Sequence, residues 1–278
     1  MNSSSLFGSS FFGSSLLNRG VLLALSLLAF VPNALAQTTT VTVMTGSQAQ
    51  QAYSVTFDGR PRVSQVIDQG RVLVAQKSQN MLAHTTDVIY WQGAGLFEHS
   101  VSGENDALLA DVTTKLAALA ERWQDDEEKL SAVNSLSEFL ASSTFQTRIT
   151  VELDHDFYLA GSKVNPLVEG ELTLLLPPRP NHVWVVGAVA TSTDAVFSPS
   201  HVADDYLDIA NTLNIFGISD VSVIQPGGKL ETHQVAYWNG IPKNIAPGAV
   251  VYVPFQGLPS ALKSLNRDIP RLLQHRVM

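Results

Sequence analysis

Two amphipathic helices are predicted in the middle of the chain, between segments that alternate like strands. From Asn105 to Trp123 apolar residues recur every three or four positions, and the same spacing returns from Leu130 to Leu140. The acidic segment Gln124–Glu128 separates the helices and places negative charge at the start of the second one. Each apolar stripe needs cover, because neither helix alone would be stable in water. The sequence therefore predicts an antiparallel helical hairpin over residues 105–142 that packs onto another part of the fold.

Strand-like segments lie on both sides of the predicted hairpin. Residues 63–67, after the second predicted strand of the chain, have apolar side chains at helical spacing. The stiff segment Pro177–Pro180 ends this half, and we place a domain boundary there. The predicted strands are Thr40–Met44, Tyr53–Phe57, Val88–Trp91, Thr147–Leu153 and Leu172–Leu176.

The second half repeats this order of elements. A short amphipathic helix is predicted from about Ser200, and Pro226–Gly228 is predicted to turn one strand back on the next. The order is typical of a small α+β layer structure. The predicted strands are Val183–Val189, Val221–Gln225, Thr232–Val235 and Val250–Phe255.

An apolar stripe from Leu258 to Leu273 predicts a C-terminal amphipathic helix, which Pro270 is expected to kink or divide. Two interpretations of the stripe are open. It docks on the second domain of the chain itself, or it forms an interfacial or partner-binding helix.

The N-terminus has the features of a secretory signal. Arg19 precedes a short apolar run, 21–30, which Pro32 and then Ala34–Ala36 follow. The run is shorter than the roughly 20 residues that span a bilayer. We expect a signal peptide over residues 1–36 and cleavage before Gln37.

Charge and cysteine content exclude several classes of site. The chain has no cysteine, which removes disulfides, thiolate metal sites, thiol nucleophiles and a lipid-bearing cysteine. Its formal net charge of −8 argues against nucleic acid or an anionic membrane surface as the main partner. An acidic polysaccharide would therefore have to be bound by a local feature.

The best candidate for a catalytic cluster is Asp154-His155-Asp156. Paired carboxylates can cleave glycosides when they stand on either side of the substrate. On a strand, however, Asp154 and Asp156 would face the same side, and a polar turn accounts for the cluster equally well. A metal site there lacks a third ligand at a recognised spacing. No nucleophile elbow, dinucleotide motif or P-loop is present, so the sequence predicts neither an enzyme nor a cofactor.

Arg148 and the tryptophans are the remaining candidates for binding. Arg148 would lie on the strand face opposite Ile149, where its guanidinium could hold a carboxylate or a sugar diol; the alternative is a salt bridge to a surface acid. Tryptophan rings could stack on sugars, but all four lie in apolar segments, so we expect them in the core. They are Trp91, Trp123, Trp184 and Trp238.

Motifs in both halves resemble the GfcC-like family of capsule biosynthesis. In the first half these are Tyr90–Ala94, the helical hairpin, and Arg148 ahead of Val151–Phe157. The resemblance covers essentially the whole chain after the predicted signal. The motifs of the second half are His201–Leu207, Val223–Gly228, Ala236–Asn239 and Ala246–Phe255.

The resemblance implies an α+β fold of two β-grasp domains, similar to soluble periplasmic domains of outer-membrane polysaccharide export proteins. The first would span 37–178 with the hairpin 105–142 inserted, and the second 179–256. Residues 257–278 would form the amphipathic helix packed on the second domain. Arg148 would lie in a cleft and bind a ligand.

The family's role implies a periplasmic, non-enzymatic accessory of capsule or exopolysaccharide secretion, with a polysaccharide or an export protein as partner. Two alternatives stay open. One is a glycan-modifying enzyme that uses Asp154 and Asp156, and the other is a scaffold that docks onto export components through its hairpin or C-terminal helix.

Overall fold

The computed structural model describes residues 38–46, 52–77, 89–99, 103–161, 164–213, 217–238 and 240–278. The predicted signal segment, 1–36, and Val88 lie outside these residues. The described chain has a mixed α+β fold with two β-sheet domains. None of its helices is both long enough and apolar enough to cross a membrane.

The first sheet has five strands in the order β2-β1-β6-β3-β5, with β1 and β6 parallel and the other pairs antiparallel. Helix α1, Val63–Lys77, follows β2 and buries Val63, Val66 and Ile67 on this sheet. Alternate residues of β1 are buried, as its sequence pattern predicts. The strands are β1 Thr38–Met44, β2 Ala52–Asp58, β3 Gly95–Glu98, β5 Thr147–Ile149 and β6 Glu171–Leu175.

The second sheet has the order β10-β9-β11-β7-β8, with β11 and β7 parallel. When the strands of each sheet are counted from one in chain order, both sheets have the same spatial order, 2-1-5-3-4. Helix α5, Ala203–Ile209, stands at the position that α1 holds in the first half. All four residues of β11 are buried, so this central strand is covered on both faces. The strands are β7 His182–Gly187, β8 Thr193–Val196, β9 Asp220–Ile224, β10 Leu230–Gln234 and β11 Val250–Val253.

The helical hairpin is confirmed as helices α2, Glu104–Arg122, and α3, Glu127–Ser142. Although it is inserted between strands of the first sheet, its apolar stripes belong to the core of the second. Phe139 lies against Trp184 of β7, with ring centroids 5.1 Å apart. The hydroxyl of Ser135 accepts a hydrogen bond of 2.7 Å from the backbone N–H of Ser192, ahead of β8.

The C-terminal stripe docks on the chain itself. Helix α6, Leu265–Leu273, packs against α2 and β9, and its leucines and Ile269 are at most 2% exposed. The apolar face is therefore covered in this structure, as the intramolecular interpretation predicts. Pro270 was expected to kink or divide the helix, and of these two the division is wrong. A 3₁₀ turn at Ser260–Leu262 comes first, and α6 then runs through the proline, which removes only one helical N–H.

A two-stranded ladder joins the two halves of the chain. Strand β4, Thr144–Phe145, leaves the hairpin and pairs antiparallel with β12, Arg276–Val277. The hairpin, which precedes the predicted boundary at 178–179, packs on the second sheet, and β12, which follows that boundary, pairs with a strand that precedes it.

Two predicted strands differ from the structure. Residues 91–93 form a 3₁₀ turn, closed by a hydrogen bond from Gly93 N–H to Tyr90 O, and the strand begins only at Gly95. The strand predicted over Thr147–Leu153 ends at Ile149. The reason is that the carboxylate of Asp154 accepts the N–H of Asp156 and starts a short helix, α4, His155–Leu159.

Candidate functional site

Arg148 lies where three segments of the chain meet. Strand β5 places it opposite Phe97 on β3, and its guanidinium stands 4.4 Å from the centroid of that ring. Nε donates a hydrogen bond of 3.0 Å to the carbonyl of Gln274, and Nη2 donates one of 3.3 Å to the carbonyl of Arg276. Nη2 also reaches the carbonyl of Pro226, in the β9–β10 turn, at 3.5 Å. One side chain therefore links the first sheet, the second sheet and the C-terminal segment.

Two glycines make room for the Arg148 side chain. A Cβ on Gly228 would stand 2.5 Å from Cδ of Arg148, and one on Gly95 would stand 2.7 Å from its Nη1. Gly228 also has a φ of +85° in the predicted β9–β10 turn, which the structure confirms. A side chain at Gly228 would require Arg148 to move, and one at Gly95 would require Arg148 and the ring of Phe97 to move.

Two half-buried arginines, Arg148 and Arg276, and a histidine, His275, lie close together here. Burial lowers the pKa of Arg148 to about 10, and burial also lowers that of Arg276 to about 10, so both stay charged near neutral pH. Burial and then the charge of Arg148 lower the pKa of His275, whose Nδ1 accepts the backbone N–H of Arg148 at 3.1 Å. Within the described residues neither arginine forms a salt bridge. Backbone carbonyls thus satisfy Arg148 in place of the surface acid that the sequence offered as one alternative.

The space around Arg148 is small. The cavity that Arg148 and Arg276 line measures about 10 Å³, which is room for a water molecule at most. The expected contact between Arg148 and a ligand stays a prediction, since the visible partners of the side chain are the chain's own carbonyls.

A much larger groove shares Gln225 and Pro226 with this small cavity. It measures about 1160 Å³. Its charged lining consists of Arg179, Lys229 and Lys243 with a single carboxylate, Glu231. Hydrogen bonds from Lys229, at 2.8 Å, and from Gln225, at 2.9 Å, lower the pKa of Glu231 to about 2. The groove is therefore locally cationic in a chain whose net charge is −8.

A second cavity, of about 430 Å³, adjoins the groove and shares Pro242 and Lys243 with it. Tyr237 and Trp238 line it and are 103% and 73% exposed. The prediction that Trp238 packs in the core is wrong, because β10 ends at Gln234 and the following residues turn away from the sheet. The other three tryptophans are half-buried.

Both parts of the chain match known families. Residues 37–179 match the family described as capsule biosynthesis GfcC, N-terminal, and residues 191–278 match capsule biosynthesis GfcC C-terminal. The chain belongs to the GfcC capsule biosynthesis family. It is 28% identical over 194 residues to the uncharacterized protein YjbG of Escherichia coli (strain K12). The matched region covers 68% of the chain and 77% of YjbG. Membership implies a role in capsule or exopolysaccharide assembly.

The acidic cluster of this GfcC-family chain has structural partners. Asp154 caps α4, and Nδ1 of His155 lies 3.0 Å from the carboxylate of Asp68 on α1. Asp154 and Asp156 are thus neighbours at a helix start and do not face each other across a cleft. Over the ranges that the structure describes, no three histidine, aspartate or glutamate side chains are grouped so as to hold a metal ion.

Sequence reasoning missed the cationic groove. Its basic residues come from three separate segments of the chain, and no spacing rule joins them; they are Arg179, Lys229 and Lys243. The net charge of −8 also points away from such a site. The one available signal was that a basic residue lies in the Pro177–Pro180 linker (Arg179) and another directly follows the Pro226–Gly228 turn (Lys229).

Proposed function

We propose that this GfcC-family chain is a non-enzymatic periplasmic accessory protein of capsule or exopolysaccharide secretion or assembly, and that it binds polysaccharide in the groove. The observation that carries the proposal is the cationic groove of about 1160 Å³ in an otherwise acidic chain of a capsule biosynthesis family. Periplasmic location rests on the predicted signal segment and on the family.

The chemistry of the groove suits an extended, acidic glycan. Arg179, Lys229 and Lys243 are exposed and can donate hydrogen bonds to carboxylates and hydroxyls along the groove. The amide of Gln225 is held in place, because its Nε2 donates to Asn244 O at 3.0 Å and its Oε1 accepts from Ala246 N at 3.1 Å. A wall that is already ordered loses little entropy when a ligand binds.

A binding role is also supported by how the acidic cluster is used. Asp154 is committed to a helix cap, and the other carboxylate of the pair, Asp156, lies in the first turn of the same helix and not on the far side of a cleft. The apolar faces of the hairpin and of α6 are covered by the chain, which favours polysaccharide over an export protein as the first partner to test. Export proteins stay a predicted partner.

We also infer that each sheet, together with the helix that follows its second strand (α1 or α5), is a β-grasp domain. The support is the shared strand order, in which the first and last strands of each sheet lie parallel at its centre. The hairpin is then an insertion in the first of these domains.

The test is an NMR titration of the chain with short oligosaccharides prepared from the capsule of the organism that encodes it. We expect the wild type to show chemical-shift changes that cluster at Arg179, Lys229 and their neighbours. The double variant Arg179→Gln/Lys229→Gln should bind at least tenfold more weakly, because each lost charge-assisted hydrogen bond is worth about 1.5 kcal/mol or more.

The matched control is Arg60→Gln/Lys129→Gln, which makes the same change of net charge at two half-exposed ion pairs elsewhere. Equal loss of binding in both double variants would reduce the effect to overall charge and overturn the groove assignment. No shift changes at millimolar oligosaccharide would overturn polysaccharide binding. New sugar signals that grow with time would contradict the non-enzymatic role.

A further inference from the structure

Two consecutive aromatic side chains stand outside the core beside the groove. Tyr237 is 103% exposed and Trp238 is 73% exposed, and both line the cavity of about 430 Å³. Exposed tyrosine and tryptophan together are typical of binding surfaces, because each ring offers an apolar face with little rotamer entropy to lose. No other tryptophan in the described chain is classed as exposed.

The cavity below these rings has polar groups as well as apolar ones. Asp204, His233, Gln234 and Lys243 line it together with Ile218 and Val235. Its volume lies within the range of small-ligand sites, roughly 300–1,000 Å³. An apolar wall with a few polar groups matches a pyranose ring, which has apolar C–H faces and a rim of hydroxyls.

His233 adds a buried polar side chain to the wall of this cavity. Its side chain is 1% exposed, and Nε2 lies 3.2 Å from Oε2 of Glu231. Burial lowers the pKa of His233, so the neutral ring carries its proton on Nε2 toward the carboxylate. Nδ1 is then an acceptor, and it is buried without a hydrogen-bond partner among the described residues. Buried acceptors of this kind normally have a donor, which a water or a hydroxyl entering from the cavity would supply.

We propose that Tyr237, Trp238 and the cavity beside His233 form a sugar subsite, in which one pyranose ring of the polysaccharide stacks on the aromatic side chains. The inference rests on the proposed function and deepens it. Pro242 and Lys243 line both the groove and this cavity, so a single glycan can pass from the cationic groove onto the aromatic rings. The groove then holds the charged groups of the glycan, and the subsite holds one ring by shape.

The geometry favours a glycan over a protein partner. A protein interface of this kind would be broad, with an apolar centre, whereas here two rings border a concave site with a histidine and a carboxylate in its wall. Loss of one stacking ring removes about 0.5–1.5 kcal/mol, which is about a two- to tenfold rise in Kd.

The test measures oligosaccharide binding and tryptophan quenching on the same samples. The probe is the same capsule oligosaccharide, and the readouts are Kd and the accessibility of Trp238 to iodide. We expect bound oligosaccharide to protect Trp238 of the wild type from iodide, and Trp238→Ala to raise Kd by up to about tenfold. Trp238→Phe keeps a ring and should lie between the two. Tyr237→Ala keeps the fluorophore and should both raise Kd and reduce that protection. Phe157→Ala, a loss of another exposed aromatic side chain, is the matched control and should bind like the wild type.

The outcomes separate the two proposals. If the wild type binds no oligosaccharide, both the proposed function and the subsite are overturned. If Arg179→Gln/Lys229→Gln weakens binding while Trp238→Ala and Tyr237→Ala leave Kd unchanged, and bound oligosaccharide does not protect Trp238 of the wild type from iodide, the proposed function stands and the subsite is overturned. If the Trp238 variants alone weaken binding, the subsite stands and the groove assignment fails. Because Trp238 lies outside the core, its variants should keep the wild-type melting temperature.

Discussion

Replacing Arg148 by alanine tests whether this side chain is a structural clamp or is held ready for a ligand. In the structure Arg148 donates to two backbone carbonyls, those of Gln274 and Arg276, at 3.0 and 3.3 Å, and reaches a third, that of Pro226, at 3.5 Å. It also covers the ring of Phe97. The substitution would leave these carbonyls without their donor and open a space between the two sheets.

The size of the effect follows from these contacts. A hydrogen bond from a charged donor contributes about 1.5–3 kcal/mol, and a desolvated cation over a ring about 2 kcal/mol. Part of this gain is offset, because the guanidinium is removed from water on folding, and water can enter the space left by alanine. We therefore expect Arg148→Ala to lower the free energy of unfolding by about 3 kcal/mol, a substantial share of the 5–15 kcal/mol typical of a domain.

Urea unfolding measures this difference, with hydrogen exchange of residues 274–277 as a local readout. The matched control is Arg60→Ala, since Arg60 is 52% exposed and its ion pair with Glu169, at 2.7 Å, should contribute at most about 1 kcal/mol. Exchange at 274–277 should rise in Arg148→Ala only. A loss below about 1 kcal/mol for Arg148→Ala would refute the clamp and make Arg148 available for a ligand.

Three further predictions concern other parts of the fold. Gly228→Ala should destabilise the chain by at least about 1 kcal/mol and shift the NMR signals of Arg148, because its Cβ meets Arg148 and its φ is positive. The pKa of Glu231 is depressed to about 2 on folding, so the free energy of unfolding should fall as pH drops from 4.5 toward about 2. Glu231→Gln should lose that part of the pH dependence in acid-unfolding curves. Leu136→Ala in α3 should cost about 2–5 kcal/mol in urea unfolding and speed hydrogen exchange in β7, whereas exchange in β1 should change only through global unfolding.

The helical hairpin shows what a periodic pattern can predict. Apolar residues three and four positions apart predict both helices nearly to their observed ends, because this spacing places them on one face of a helix. The same pattern could not say which sheet it covers, because periodicity identifies a buried face without identifying its partner. Of the strand predicted at Val88–Trp91, the described residues 89–90 are not in a strand, and residues 91–93 form a turn. The strand predicted at Thr147–Leu153 is confirmed only over Thr147–Ile149, and the cap at Asp154 starts a helix soon after it.

The candidate site was harder to predict than the fold. Arg148 was placed correctly opposite Ile149, but its carbonyl partners lie more than seventy residues away in the chain. Trp238 was assigned to the core because its neighbours are apolar, and only the end of β10 exposes it. The groove depends on three cations brought together by tertiary structure, which a single sequence does not encode as a pattern.

The packing of the hairpin on the second sheet affects the order in which the chain can fold. Synthesis proceeds from the N-terminus, so α2 and α3 emerge before the strands β7 to β11 that cover them. Until then Leu116, Leu119 and Leu136 are exposed, and a transiently exposed apolar surface of this kind favours aggregation. Pairing of β4 with β12 joins residues over a hundred positions apart, and contacts of such separation slow folding. A ribosome-bound first half should therefore depend on a chaperone, and the two halves expressed separately should recover a native fold only when mixed.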